Sequence, residues 1–304
     1  MHETRGLTEI IDCFYIKKQL LLKAVLIKIK RMMKFKKMQG LGNDFVIIFL
    51  DKNFLSEKEI RFVCDRKVGI GCDLLVILRK NNDGISDYIA SFFNADGSEA
   101  EICGNALRCI GKLHYKNESK KNCLVETKSG LVDVEYIDTN NISVDLGTPK
   151  FGWKDIPLNQ NLDCSNLGIK LNYLKGGFAL NIGNPHLIFF VDKLLKKELV
   201  KDSQIITNGP IFPNGVNISA VKIESRGELS VLTFERGVGL TNACGTGASA
   251  SFVAANKMNY VDDTTLIKMI GGKLHVEISN DNHIFITGGA RDVFEGMIDL
   301  SQNE

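Results

Sequence analysis

The chain has 304 residues, of which 44% are hydrophobic and 24% charged, and its formal net charge is +2. That length holds two ordinary domains and a sizeable core, and the composition excludes a disordered chain. The small net charge and the lack of a clustered basic stripe speak against a nucleic-acid binder, and no run reaches the roughly 20 apolar residues of a membrane-spanning helix.

Residues 1–32 read as an extension. The apolar run from Leu20 to Ile27 is broken by Lys23 and followed by Lys28, Lys30 and Arg31, and no small-residue cleavage site follows it. Two readings stand. The segment is upstream sequence from a misassigned start, with the protein proper beginning near Met32 or Met33, or it is a short amphipathic helix that docks on the body.

From Lys34 onward the pattern is regular. Phe45–Phe49 is short and apolar enough for a buried strand. Ser56 to Arg66 predicts a helix, with Ser56 as its cap and Glu59 three residues on. Strands are expected at 74–78 and 88–94. A helix that is apolar on several sides follows over 103–115, then short alternating strands at 124–127, 131–136 and 142–146. Gly147-Thr148-Pro149 and the polar stretch to Asn172 read as a linker. Beyond it, strands are expected at 178–182, 187–191, 216–223 and 229–235, a helix over 245–257, and strands at 265–270, 274–278 and 284–287.

The two parts share a plan: strands, a glycine-rich turn bearing a cysteine, an apolar helix, more strands. Cys103 stands nine residues after Asn94 and Cys244 nine after Glu235, and each is followed by Gly. This is a diverged internal duplication, and two facing α/β halves would hold a ligand between them.

The eight cysteines include no C-x-x-C pair, which argues against a zinc ribbon or a thioredoxin-type motif. Their even number admits disulfides, but a chain of this size does not need them, and reduced thiols in a cytosol are the expectation. A thiol at a helix start meets the positive end of the helix dipole and unpaired N–H groups, which favours thiolate and a lowered pKa. The same N–H groups bind a carboxylate. Two such thiols in one cleft suit a base and an acid that invert a carbon centre beside a carboxylate. Neither pyridoxal, metal nor nucleotide is required, so no cofactor is expected.

Other residues keep two readings at this stage. A lone cysteine near a helix start is more often a small buried hydrophobe, and Cys13, Cys64, Cys72, Cys109, Cys123 and Cys164 are left in that class. Cys72 stands slightly apart because Gly69-Ile-Gly71-Cys72-Asp73 is a tight glycine turn. His186, beside Pro185 and Asn184, is either structural or functional. Glu235-Arg236 is either a solvated pair or a carboxylate and a guanidinium turned towards a substrate.

At these residues the chain resembles the diaminopimelate epimerases. The matching segments are Lys37–Phe45, Phe93–Glu99, Cys103–Cys109, Gly183–His186, Val216-Asn217, Glu235–Gly239 and Ala243–Gly247. The resemblance implies an α/β (α+β) fold of two pseudo-symmetric domains, each a mixed or antiparallel sheet curled around a central helix. One would comprise 33–147 with 290–304 and carry Cys103, and the other 148–289 with Cys244. It implies a cytoplasmic, cofactor-independent epimerase that interconverts LL- and meso-diaminopimelate in lysine and peptidoglycan precursor synthesis. Cys103 and Cys244 would be the acid/base pair, supported by His186 and Glu235. Gly104, Asn105, Gly245 and Thr246 would hold the reacting end of the substrate. Asn43, Asn94, Asn184, Asn217, Glu235 and Arg236 would line the rest. A homodimer is implied, with Phe294 where a contact Tyr is frequent. Leu240, Leu74 and Gln39 depart from the family's usual residues. Against this stand two alternatives: a related proline-type racemase, and a non-catalytic binding protein derived from the family.

Overall fold

The computed structural model describes residues 32–50 and 55–303. The anticipated extension lies outside them except for Met32, which opens the first strand. Among the described residues seventeen strands form one continuous sheet, with a separate two-stranded ribbon at 169–170 and 175–176.

The sheet repeats one motif twice. In the first half, Asn43–Phe49 runs parallel to Leu74–Lys80, and helix α1 (Glu57–Cys64) lies in the crossover between them. Tyr88–Asn94 then pairs antiparallel with Leu74–Lys80. Past helix α2 (Gly104–Glu118), Asn122–Thr127 returns parallel to Tyr88–Asn94, and Gly130–Tyr136 and Ile142–Asp145 follow antiparallel. In the second half, Pro185–Phe190 runs parallel to Asn217–Ser225 across helix α3 (Lys196–Thr207). Glu228–Glu235 pairs antiparallel, and past helix α4 (Gly245–Lys257) the strand Thr264–Met269 returns parallel. Gly272–Ile278 and Ile284–Gly288 complete the copy. Two pairings join the halves. Ile284–Gly288 lies against Ile142–Asp145, and Arg291–Asp299 comes back to pair with Met32–Gly40.

The local causes are visible. Ser56 and Glu59 form a capping box that starts α1. Helices α2 and α4 are buried on every side, Gly104 to His114 and Gly245 to Ala255 being buried without a break. Such enclosure requires that their polar groups be satisfied from within. In α4 the Ser249 and Ser251 hydroxyls donate to the Gly245 and Gly247 carbonyls at 3.0 and 2.7 Å, and Gly, Ala and Ser let the sheet approach closely. The strands around both helices form a single apolar core that spans the two halves.

Two expectations need correction. The stretch 147–172 is not a free linker, because Ile156, Leu158 and Cys164 are buried in a second apolar cluster with Leu174, Phe189 and Leu199. Its polar composition hides three anchors set in turns. Helix α3 was not foreseen. Its buried face is Leu199, Asp202, Ser203 and Ile206, so half of the inward positions are polar and the hydrophobic period is masked. The Asp202 carboxylate is spent on the backbone N–H groups of Tyr173 and Leu174, both at 3.0 Å. Among the described residues no helix is long and apolar enough to cross a membrane.

Candidate active site

The ends of α2 and α4 meet at a cavity of about 490 Å³ whose wall draws on both halves. Cys103 and Cys244 are the N-cap residues of the two helices, each in extended conformation, and both face this cavity. Gly104, Asn105, Gly245 and Thr246, the first residues of each helix, complete that wall. Around the rest of the cavity stand Asn43, Asn94, Asn184, Asn217, Glu235 and Arg236. The fold thus gathers twelve expected residues from seven stretches of chain. His186 and Phe294 are not among them.

Cys103 is half-buried and makes no side-chain cap bond; its sulfur lies 3.9 Å from the Asn43 Oδ1. Cys244 is 6% exposed and its sulfur accepts the Gly247 N–H at 3.3 Å, with the Thr246 hydroxyl at 3.5 Å. A side chain at Gly247 would meet the Thr233 hydroxyl at 2.8 Å, so glycine is what allows this approach. Neither thiol has the lowered pKa expected of a helix start. Burial pushes Cys103 up to about 12, and burial together with the nearby Glu235 carboxylate pushes Cys244 well up. The helix N–H groups act in the expected direction on both, but desolvation outweighs them.

Glu235 ends its strand and lines the cavity. Burial raises its pKa, while hydrogen bonds to Thr241 and Cys244 pull the other way. Arg236 does not pair with its neighbour Glu235. Its guanidinium donates to the Asn214 carbonyl at 2.9 Å and to Glu101 at 3.3 Å. Glu101 belongs to the first half, so this ion pair bridges the cleft. The Arg236 N–H is held by the Asn217 side chain at 2.9 Å.

His186 is fully buried and reaches the cavity only through Asn184, whose Oδ1 is 2.8 Å from its Nε2. Burial and the Arg236 charge lower its pKa to about 3, so the ring is neutral. Among the described residues its Nδ1 has no hydrogen-bond partner. On the opposite side, Asn105 ties the halves together by donating to the Asn43 Oδ1 at 3.3 Å and the Ala243 carbonyl at 3.4 Å. The fully buried Arg108 guanidinium donates to the Asn105 Oδ1 at 2.8 Å.

Several wall residues escaped sequence reading. Asp73 accepts from the Asn43 side chain at 3.0 Å and from the Asp44 N–H at 3.1 Å, and Arg66 donates to Asp73 and Asp44 at 2.7 and 2.6 Å. Glu101, Thr241 and Asp73 carry no motif of their own. The signal for Asp73 was the glycine turn before it, Gly69-Ile70-Gly71. Leu240 lines the cavity but packs on the second apolar cluster, and Gln39 accepts the Gly42 N–H at 3.0 Å within its own turn. Among the described residues the one grouping of potential metal ligands, Asp87, His114 and Cys123, lies away from this cavity.

A family model described as diaminopimelate epimerase matches residues 35–152 and 178–293. The chain is 41% identical over 265 residues to a diaminopimelate epimerase of Pelagibacter ubique, covering 84% of this chain and 95% of that one. It is 36% identical over 267 residues to a diaminopimelate epimerase of Zymomonas mobilis, covering 87% and 97%. In shape it is similar to a hydroxyproline epimerase of Agrobacterium vitis crystallised with trans-4-hydroxy-L-proline. That likeness has a TM-score of 0.68 at 15% identity and covers 90% of this chain and 94% of the other. At that identity the likeness concerns the fold alone.

Proposed function

The chain belongs to the diaminopimelate epimerase family, and we propose that it interconverts LL- and meso-diaminopimelate by proton transfer at one α-carbon between Cys103 and Cys244. The observation that carries this reading is the pair of thiols, each capping an enclosed helix, on the wall of one cavity.

A substrate α-carboxylate between the two helix starts would accept their free N–H groups, which stabilise the charge that builds up as the α-proton leaves. One thiolate removes that proton and the opposite thiol returns another to the other face, so the centre inverts. The roles exchange when the reaction reverses. The α-proton of an amino acid is only weakly acidic. A thiol pushed up to about 12 is a stronger base once ionised than an ordinary one, at the cost of a smaller ionised fraction. Glu235, hydrogen-bonded to Cys244 with its own pKa raised, is suited to take that thiol's proton. His186 acts as a positioning residue, its neutral ring orienting Asn184. Asn94, Asn184, Asn217 and Arg236 would hold the distal amino-acid head. No step of this scheme calls for a metal or an organic cofactor.

The same reading divides the chain into 33–147 with 290–304 and 148–289, places the enzyme in the cytoplasm for lysine and peptidoglycan precursors, and makes it a homodimer. Phe294 supports the last point. It is 51% exposed, meets Phe35 edge-on at 5.8 Å, and adjoins exposed Val293 and Met297. Sedimentation should give a dimer that Phe294→Glu dissociates; a wild-type monomer would remove this part.

The central test is deuterium uptake from heavy water at the α-carbon of diaminopimelate. The reduced wild type should exchange and epimerise. Cys103→Ala and Cys244→Ala should each lose roughly 10³-fold or more in epimerisation. No exchange by fresh reduced wild-type protein overturns the reading.

A further inference from the structure

Two further thiols lie on the far side of Asp73. Cys64 ends α1 and Cys72 follows the turn over 65–71; both are buried in the small apolar core beneath the first half. The Cys72 thiol donates to the Cys64 sulfur at 3.5 Å, and the Cys72 N–H donates to the Cys64 carbonyl at 3.2 Å. The next residue is Asp73, which holds the side chain of Asn43, and both line the cavity. The Lys37 ammonium, itself buried, grips the same turn through the Gly71 carbonyl and Asp44.

We propose that Cys64 and Cys72 form a peroxide-oxidisable dithiol, and that closing their disulfide weakens substrate binding through Asp73 and Asn43. The hydrogen bond from Cys72 and the Lys37 charge hold Cys64 below the ordinary thiol range, whereas donating that bond and burial push Cys72 up. Cys64 is therefore the thiol that meets the oxidant. Its thiolate attacks a peroxide, the S–O bond forms, the O–O bond breaks, and hydroxide leaves. The Cys72 sulfur then attacks the Cys64 sulfenic acid, the S–S bond forms, and the S–O bond breaks. The hydroxide so released takes the Cys72 proton and leaves as water. With hydrogen peroxide, two thiols lose two electrons and the oxidant becomes two waters.

Access comes through the turn that joins the pair. Asp65 to Val68 are exposed, Val68 at 69%, and Gly71 sits at φ +78, where a side chain would collide with Arg66. A short exposed turn opens locally without unfolding the sheet. Bond formation draws the sulfurs about 1.5 Å closer, to the roughly 2.05 Å of a disulfide. Cys72 is one peptide unit from the carboxylate that orients Asn43 and the Asp44 N–H, so the pull is delivered at the cavity wall.

The chemistry is tested independently of the proposed reaction. Trypsin cuts after Arg61, Arg66, Lys67 and Arg79, so the two cysteines fall in separate peptides, 62–66 and 68–79. Hydrogen peroxide added to the reduced full-length Cys103→Ser/Cys244→Ser protein should yield these two peptides disulfide-linked, and dithiothreitol should release them. Oxidation of the other thiols without this linked species overturns the proposal. Coupling to the cavity is read in the same protein by amide hydrogen exchange at residues 43–46 and by calorimetry with diaminopimelate. Exchange should change on oxidation and Kd should rise at least threefold, both restored by dithiothreitol and both lost in Cys64→Ala and in Cys72→Ala. A linked species that alters neither exchange nor affinity overturns the coupling. Failure of reduced protein to bind diaminopimelate while the linked species forms and exchange responds would count against the epimerase reading instead.

Discussion

The two halves carry the same parts at the same stations, and the differences between them divide the labour of the site. Asn43 and Asn184 each stand two residues before the first strand residue paired across the parallel crossover. Asn94 and Glu235 each close the strand before the glycine turn, and Cys103 and Cys244 each cap the enclosed helix. The pair of helix-start thiols has been kept. The supporting stations have diverged. Where the first half pairs Phe45 with Leu74, the second pairs His186 with Asn217, so an apolar couple faces a polar one. Where the first half has the neutral Asn94, the second has Glu235 against its own thiol. Charge and hydrogen bonding are therefore concentrated around Cys244, while Cys103 is more open and less held.

That contrast can be broken at its strongest point by Glu235→Gln, which keeps the shape and removes the carboxylate. The expected loss in kcat/KM is roughly 10²–10³, with the basic limb of the pH–rate profile displaced because Cys244 no longer faces a negative charge. A loss of less than tenfold would leave Glu235 no more involved than its counterpart Asn94. Next in size is thiol reactivity. Cys103 is more exposed than Cys244, so iodoacetamide should label Cys103 about tenfold faster in the free protein, read by peptide mass spectrometry. Equal rates would erase the distinction between the two helix starts.

The smallest effect concerns the buried imidazole. The folded pKa of His186 lies near 3, below the ordinary 6.5, so between these values the unfolded chain binds a proton that the folded one does not. This contribution to stability is complete above about pH 6.5 and is lost as the pH falls, by about 1.4 kcal/mol per unit. Urea unfolding between pH 6.5 and 5 should show this slope in the wild type. His186→Phe, which installs the first half's residue type in the second, should flatten it. An unchanged slope would mean that His186 is not the group that titrates.

The helices over Cys103 and Cys244 were legible because two signals coincided, a Gly-rich turn and a long apolar run. The bounds of α4 and of the strand Tyr88–Asn94 agree with expectation to the residue. Helix α3 was not legible from its own pattern, since Asp202 and Ser203 occupy its inward face. It was legible from the duplication, because it fills the crossover that α1 fills in the first half. The stretch after Gly147 misled because three buried anchors are dispersed among polar turn residues.

Sequence alone determined the duplicated plan and the two thiols at helix starts, which follow from local rules: which residues turn, which cap, and which repeat with the period of a helix or strand. The asparagines, the glutamate and the arginine came from the resemblance to the family, not from those rules. The tertiary structure decided what those residues face. Desolvation depends on neighbours distant in the chain, so only the packed sheet could reverse the expected thiol pKa shift. Only it could withdraw His186 behind Asn184, and only it could pair Arg236 with Glu101 across the cleft rather than with the adjacent Glu235. The two cysteine helices thus entered as a spacing and emerge as a matched pair in unequal surroundings, because spacing is set along the chain and environment is set across it.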